Sequence, residues 1–259
     1  WKFNVEERGL YYIVLQYVSH PVNGEDGTVV TFKLNEELPY NELKSVKLPD
    51  EYCDVFPLIQ DKFGNDLRPE QTPAERLTEN YLYDTSLSYT QPLSLYLTGN
   101  DVSLELAIIS GNAEIKAIIL KPVNGVKEEY KQNGYTEVKS DLEIYQAENA
   151  VYKSSTMIYP VSDRSSSNTE PCSAGLVKLN SIGGSQWSSP GGYIAWTVKV
   201  PEDGLYKLHL RAKQDTAVGA VSSRSLYING ELPFKEAQNI TVEYNSNWQN
   251  VALGNNEED

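Results

Sequence analysis

The chain has 259 residues, enough for one large or two ordinary domains, and a net charge of −14. That charge argues against nucleic acid as a partner and against an anionic membrane surface, because both are held by clustered Lys and Arg. With 40% hydrophobic residues, 18 Tyr, 4 Trp and a single Met, the composition is typical of a globular β protein with aromatic side chains on its surface.

Alternating apolar residues predict β-strands in the first half of the chain. The alternation covers residues 11–17, 93–97 and 102–106, and a further strand is expected at 115–120. Short strands at regular spacing, joined by turns, are typical of a β-sandwich and not of a parallel sheet.

Two polar stretches lie between these strands. Residues 72–75, Thr-Pro-Ala-Glu, have the form of a capping box with proline at the first helical position, so they predict one or two helical turns. Residues 61–66 are rich in oxygen ligands but lack the spacing of an EF-hand, and we interpret them as a turn.

The second half shows the same alternation. Residues 196–200 and 205–211 alternate around a turn at Gly204, which predicts a hairpin with one apolar face. Trp1 and Trp196 each begin an alternating stretch, so both indoles are predicted to lie in the core.

The chain contains an internal duplication. Residues 1–12 align with residues 196–207, sharing Trp, Val, Glu, Gly, Leu and Tyr. A second match follows in the same order, between residues 34–42 and residues 228–236. Two matches in the same order, whose offsets differ by one residue of loop, predict two copies of one module.

The two copies predict a tandem arrangement. We expect an all-β chain of two jelly-roll β-sandwich modules, at residues 1–121 and 144–259, with a linker at 122–143 that holds a short helix near 127–133. The first copy lacks the segment that precedes the motif in the second, and the second lacks the strands that follow it in the first. Each module is therefore expected to be incomplete, and the chain to be part of a longer protein.

One turn is expected to differ between the copies. Asn229-Gly230 predicts a tight turn with positive φ, whereas the corresponding Asn35-Glu36 lacks the glycine.

The residue inventory offers little for catalysis. Cys53 and Cys172 fall one in each half, so neither half closes a disulfide of its own, and we expect structural thiols. Only His20 and His209 could activate a nucleophile, and neither accompanies a nucleophile motif. No spacing singles out a carboxylate pair for glycoside hydrolysis. The sequence therefore predicts no enzyme.

Loop aromatics beside planar polar groups favour sugar binding, because a pyranose has partly apolar faces and a rim of hydroxyls. Trp187 and Trp248 could each be a stacking platform or a cap on the core. The candidate ligand residues are Tyr159, Asp163, Arg164, Gln186, Trp187, Asn247 and Trp248.

The second copy resembles carbohydrate-binding modules of families 6 and 35. The matching stretches are Tyr145-Gln-Ala-Glu148-Asn-Ala, the run from Gly191 to Tyr206, and Leu226-Tyr-Ile-Asn229-Gly230. The pair of copies resembles the extracellular portion of large solute-binding lipoproteins of bacterial sugar ABC transporters, through residues 60–66, 145–155, 163–166 and 222–229.

The resemblance implies a galactose-binding-type jelly roll that recognises an oligosaccharide or polysaccharide outside the cell, at the surface, without catalysis. It implies a structural calcium ion held by Glu148 with Gln146. It also implies that the partners are the rest of the solute-binding protein and its ABC permease. Accessory modules of a secreted glycoside hydrolase, or a structural spacer without ligand, are the alternatives.

Overall fold

The computed structural model describes residues 1–22, 26–86, 89, 91–123, 134–139, 141–189 and 191–253. This part is built of β-strands and short 3₁₀ helices, so the predicted all-β fold is confirmed. The helix expected near residues 127–133 lies outside the described residues. None of the described helices has the length and apolarity needed to cross a membrane.

The strands are numbered in chain order. Those of the first half are β1 (Lys2–Phe3), β2 (Gly9–Ser19), β3 (Thr28–Leu34), β4 (Val46–Leu48), β5 (Tyr52–Asp54), β6 (Gln71–Pro73), β7 (Thr78–Tyr81), β8 (Ser94–Leu97), β9 (Val102–Ser110) and β10 (Ala113–Pro122). Those of the second half are β11 (Tyr152–Lys153), β12 (Pro160–Val161), β13 (Ser181–Ile182), β14 (Ile194–Ala195), β15 (Leu208–Gln214), β16 (Ser222–Arg224), β17 (Ile240–Val242) and β18 (Asn245–Leu253). The 3₁₀ helices are Asn41–Lys44, Ala147–Asn149, Gly184–Trp187 and Lys235–Gln238.

The first copy forms a two-sheet antiparallel sandwich. One sheet has the order β1-β9-β3-β4, and the other has the order β10-β2-β7 with β8 also paired to β2. Alternate residues of β2 point into the core, where Ile13, Leu15 and Tyr17 are fully buried against Phe32 of the opposite sheet. Burial of this apolar set is the main driving force for the sandwich.

A third sheet connects the two halves of the chain. Its order is β14-β11-β5-β6, so two strands from the range predicted as the first module pair with two from the second. The contact between halves is β5 with β11, where Tyr52 lies opposite Lys153. The two halves therefore share backbone hydrogen bonding.

Several elements of the two aligned stretches have matching local structure. The 3₁₀ helices Asn41–Lys44 and Lys235–Gln238 occupy matching positions with nearly identical flanking dihedrals. Thr28 pairs with Leu48 in β3–β4, and Ser222 pairs with Val242 at the corresponding place in β16–β17.

The prediction that the two turns differ was wrong. Asn35 and Glu36 have φ values of 51° and 68°, and Asn229 and Gly230 have 52° and 82°. Asparagine is one of the few side chains that tolerate this left-handed region, and the chain accepts Glu36 there too. The Leu34 to Glu37 bridge that closes the turn explains how the backbone is held.

The copies differ by an insertion. Leu15 of β2 pairs with Asn80 of β7, and Leu210 of β15 pairs with Val251 of β18, so β7 and β18 are equivalent strands. Residues 49–77 separate β4 from β7, whereas only residues 243–244 separate β17 from β18. The first copy therefore carries an extra segment, and this segment supplies β5 and β6 to the shared sheet.

Three other expectations were wrong. Trp1 is 59% exposed and Trp196 is 37% exposed, so neither indole lies in the core. Trp196 instead donates from Nε1 to the carbonyl of Ala147 at 2.9 Å, and residues 196–200 form no strand. Residues 71–73 form β6 and not a helix; because β6 is an edge strand, Pro73 interrupts no inner ladder.

Candidate functional site: the cleft between the halves

A buried ion pair fixes the second half against the inserted segment. Lys153 of β11 pairs with Asp54 of β5, and both side chains are fully buried. Gln71 of β6 donates from Nε2 to Asp54 Oδ1 at 3.0 Å and to the Ile158 carbonyl at 2.9 Å. A buried charge is tolerated only when it is paired, so this pair specifies how the halves dock.

A second polar network lies beside it. Arg76 donates from Nη2 to Oε1 of the buried Glu51 at 2.7 Å, and its Nε lies 2.7 Å from Oε2 of the same carboxylate, so the two side chains form an ion pair. Tyr193 of the second half donates its hydroxyl to Glu51, and Arg76 stacks at 4.1 Å on the ring of Tyr152. Burial is the main cause that raises the pKa of Tyr193 well above its usual value, and the negative charge of Glu51 is the second. The Tyr193 hydroxyl therefore keeps its proton and remains a donor.

A cleft of about 370 Å³ opens between the halves above these networks. Rings, amides and hydroxyls from both halves line it, together with charged groups from the first half. The first half contributes Asp26, Lys47, Tyr52, Asn80, Tyr81, Tyr83, Asp84 and Thr85, and the second contributes Ser154, Ser155, Thr156, Met157, Gln186 and Trp187.

Trp187 covers a small apolar cluster and also lines the cleft. Its indole packs beside the small cluster of Ala150, Ile158 and Ile194, and its Nε1 donates to the Gly192 carbonyl at 2.7 Å. The Arg224 guanidinium lies 4.3 Å from the ring centroid and donates to the Trp187 carbonyl at 2.8 Å. The ring remains half-buried, with Arg224 near it.

The loop before Trp187 depends on glycine. Gly183 has φ of +108°, and a Cβ there would lie 3.3 Å from the Trp187 ring. The neighbouring Gln186 is half-buried, and its Oε1 is enclosed without a hydrogen-bond partner in the described structure. An enclosed amide oxygen without a donor is costly, so the position favours a hydroxyl or N–H from a ligand.

The tyrosines of the cleft keep their protons. Burial, followed by the charges of Asp50 and Asp26, raises the pKa of Tyr52 to about 12. Burial also raises the pKa of Tyr83, whose hydroxyl contacts that of Tyr227 from the second copy. At neutral pH both phenols are neutral and can donate hydrogen bonds.

The other predicted ligand residues lie elsewhere. Arg68 covers the ring of Tyr159, with the guanidinium carbon 3.6 Å from the ring centroid. The same guanidinium donates a hydrogen bond to the Thr156 carbonyl at 2.7 Å. Arg164 and Asn247 are exposed. Of the seven candidates, only Gln186 and Trp187 line the cleft.

Asp163 and Trp248 form a separate cluster with Lys213. The Lys213 ammonium lies 2.6 Å from Asp163 Oδ2 and 5.3 Å from the Trp248 ring centroid, and Trp248 donates from Nε1 to Asp163 Oδ1 at 3.4 Å. Burial alone would raise the pKa of Asp163, but hydrogen bonds from Lys213, Ser165 and Trp248 lower it to about 2. The cluster is internally satisfied.

The predicted calcium ligands fit a cation in part. Glu148 is buried, and its Oε2 has no hydrogen-bond partner among the described residues. Gln146, half-buried, precedes the same 3₁₀ helix. The described residues hold no group of three or more His, Cys, Asp or Glu side chains arranged for a metal, so any further ligands would be carbonyls, amides or water.

The cleft residues of the first half were missed from the sequence. Tyr52, Asn80 and Tyr83 belong to no motif, and only their pairing across the halves brings them to Trp187. The Tyr81-Leu-Tyr83 run is the one available signal. Residues 61–66 form the predicted turn, with Asp61 Oδ1 accepting from the backbone of Phe63 at 2.8 Å.

Comparison of the chain with protein-family models, curated proteins and solved structures finds no match. The chemistry of the cleft is therefore inferred from its own residues.

Proposed function

We propose that this chain is a non-catalytic carbohydrate-binding segment and that the cleft between its halves receives the sugar. The cleft combines aromatic rings with amide, hydroxyl and carboxylate groups, the combination that suits apolar sugar faces rimmed by hydroxyls. Its volume of about 370 Å³ lies within the range of small-molecule sites, ~300–1,000 Å³.

The observation that carries the proposal is the enclosed Gln186 Oε1 beside Trp187. This acceptor lacks a donor in the described structure, and a sugar hydroxyl would supply one after a small rotation of the amide. The hydroxyls of Ser155 and Thr156, which also line the cleft, can donate a hydrogen bond to a ligand or accept one from it.

We place this binding in an extracellular solute-binding protein of a sugar ABC transporter, with the permease as the partner of the whole protein. The sequence resemblance supports that context. Accessory modules attached to a secreted glycoside hydrolase would present the same cleft.

The test is calorimetric titration of the full chain with soluble oligosaccharides of hexoses and pentoses. Replacing Gln186→Ala removes the cleft acceptor and should weaken binding by about tenfold, the equivalent of one good hydrogen bond. Asn247→Ala is the matched control, because Asn247 is an exposed amide outside the cleft. Equal affinities of the two variants would contradict the assignment of the site.

A structural spacer without ligand is the second candidate. The observation in its favour is that cations already lie against three candidate rings: Arg68 on Tyr159, Arg224 near Trp187 and Lys213 near Trp248. Such rings are less free to stack on a sugar. If the chain binds no oligosaccharide in the panel, the spacer interpretation is the one that remains.

A further inference from the structure

Among the described residues, the charged groups that line the cleft all come from the first half. The wall formed by the second half consists of hydroxyls, backbone and apolar side chains, together with Gln186 and Trp187. The wall formed by the first half carries one cation, Lys47, and two acids, Asp26 and Asp84. The described lining therefore holds more carboxyl groups than ammonium groups.

The one cation of this described lining is already paired. Lys47 Nζ forms an ion pair with Asp26 Oδ2, and the Lys47 side chain is 27% exposed whereas the Asp26 side chain is 71% exposed. The buried Asp50 is a further carboxyl group beside this pair, and it accepts a hydrogen bond from Tyr52. Of the two paired charges, the carboxylate is thus the one more open to a ligand.

Cations that border the cleft without lining it are engaged in other contacts. Arg224 lies against the Trp187 ring, and its Nη1 and Nη2 donate to the carbonyls of Ser223 and Trp187 at 2.7 and 2.8 Å. Arg68 donates to the Thr156 carbonyl. The cations of the two networks beneath the cleft are each paired with a carboxylate. These groups offer an anionic ligand no ready partner.

The charge of the lining separates acidic sugars from neutral ones. A ligand carboxylate that enters the cleft loses water without gaining a free cation, and that exchange is unfavourable. It is also repelled by Asp26 and by the net charge of −14 on the whole chain. A neutral sugar avoids both costs, because its hydroxyls can donate to Asp26 and to the enclosed Gln186 Oε1.

We infer that the cleft selects oligosaccharides without acidic groups, so that neutral sugars bind and their uronic acid counterparts are rejected. This inference rests on the proposed function and names the class of sugar that the same site takes. Asp26 is the specificity-determining residue, because it supplies the exposed negative charge of the lining and occupies Lys47.

The test compares three forms of each sugar by calorimetric titration of the full chain. Tetrasaccharides of glucose, galactose and mannose are prepared neutral, oxidised at C6 to the uronate, and as the methyl ester of that uronate. A xylose tetrasaccharide is prepared without a branch, with a glucuronate branch, and with the methyl ester of that branch. The methyl ester keeps the carbonyl of the uronate but removes its charge.

For a sugar that binds, we expect the uronate to bind at least about tenfold more weakly than the neutral form. The methyl ester should recover most of the lost affinity, because charge and not shape causes the loss. High salt should narrow the difference between the uronate and the neutral form, since salt screens exposed charges.

Asp26→Asn removes the exposed carboxylate and frees Lys47 for an anionic group. This variant should bind the uronate about three- to tenfold more tightly than the parent does, with its affinity for the neutral sugar within about twofold of the parent's. Asp101→Asn is the matched control, because Asp101 is an exposed acid outside the cleft, and it should match the parent with every sugar.

Equal or tighter binding of the uronate would overturn the inference while leaving carbohydrate binding in place. A methyl ester as weak as the uronate would overturn it too, because shape would then decide. The same holds if Asp26→Asn binds the uronate no better than Asp101→Asn does. Binding of none of the neutral sugars would overturn the proposed function itself, and the inference with it.

Discussion

Removing Lys153 tests whether the buried ion pair holds the two halves together. Lys153→Met keeps most of the side-chain volume but leaves the Asp54 carboxylate enclosed without its cation. Gln71 Nε2, at 3.0 Å, is the hydrogen-bond donor that remains to Asp54 in the described structure. Breaking one partner of a buried pair costs about 3–5 kcal/mol of unfolding free energy, and we expect a loss in that range.

The double variant Lys153→Met with Asp54→Leu removes both charges. Gln71 keeps its bond to the Ile158 carbonyl, so no enclosed donor is abandoned. Replacing a buried pair by apolar residues is often neutral, and the double variant should regain most of the lost stability, about 2–4 kcal/mol.

Urea unfolding, monitored by tryptophan fluorescence and circular dichroism, gives the free energies. Lys33→Met is the control, because Lys33 forms an exposed ion pair with Glu105 at 3.3 Å. This substitution should lower the free energy of unfolding by less than about 1 kcal/mol. The reasoning is refuted if Lys153→Met costs no more than Lys33→Met, or if the double variant is less stable than the single one.

Three further predictions concern single sites. Burial raises the pKa of Glu148 above 4.5, so ionisation of this carboxyl destabilises the fold as the pH rises through its pKa. Glu148→Gln should therefore have a higher melting temperature than the parent at pH 7 without calcium. Added calcium should raise the melting temperature of the parent only. Hydrogen bonds lower the pKa of Asp163 from 3.8 to about 2, so its stabilisation is complete above 3.8 and disappears as pH falls to 2; acid titration of Asp163→Asn should lack that component. Gly111→Ala should lower the melting temperature, because φ is +80° and the new Cβ would lie 2.6 Å from Thr28 Cα.

The duplication is inferred from the sequence because its signal is local. Trp, Gly, Leu and Tyr recur at fixed spacing, and the matched turns, 3₁₀ helices and strand registers follow from that spacing. The Asn35-Glu36 turn could not be predicted, because its sequence lacks the glycine that favours positive φ and the Leu34 to Glu37 bridge that closes it is a feature of the folded chain.

The shared sheet was not predictable. The pairing of Tyr52 with Lys153 joins strands that are far apart in sequence, and nothing local marks either as a partner of the other. The same holds for Lys153 and Asp54, which look like ordinary surface charges in the sequence.

Of the residues that line the cleft, the sequence singled out only two from its second half. Gln186 and Trp187 stand together in a Gly/Ser loop, and both line the cleft. Tyr159 has the same kind of setting, but Arg68 from the inserted segment covers its ring, a contact that depends on tertiary structure.

Saturation-transfer NMR of the full chain with the oligosaccharide panel, at about millimolar sugar, tests sugar binding in the cleft most directly. The account predicts saturation of sugar ring protons by the parent chain and by Asn247→Ala, with a clear reduction for Gln186→Ala. No saturation with any sugar, or equal saturation by all three proteins, would contradict it.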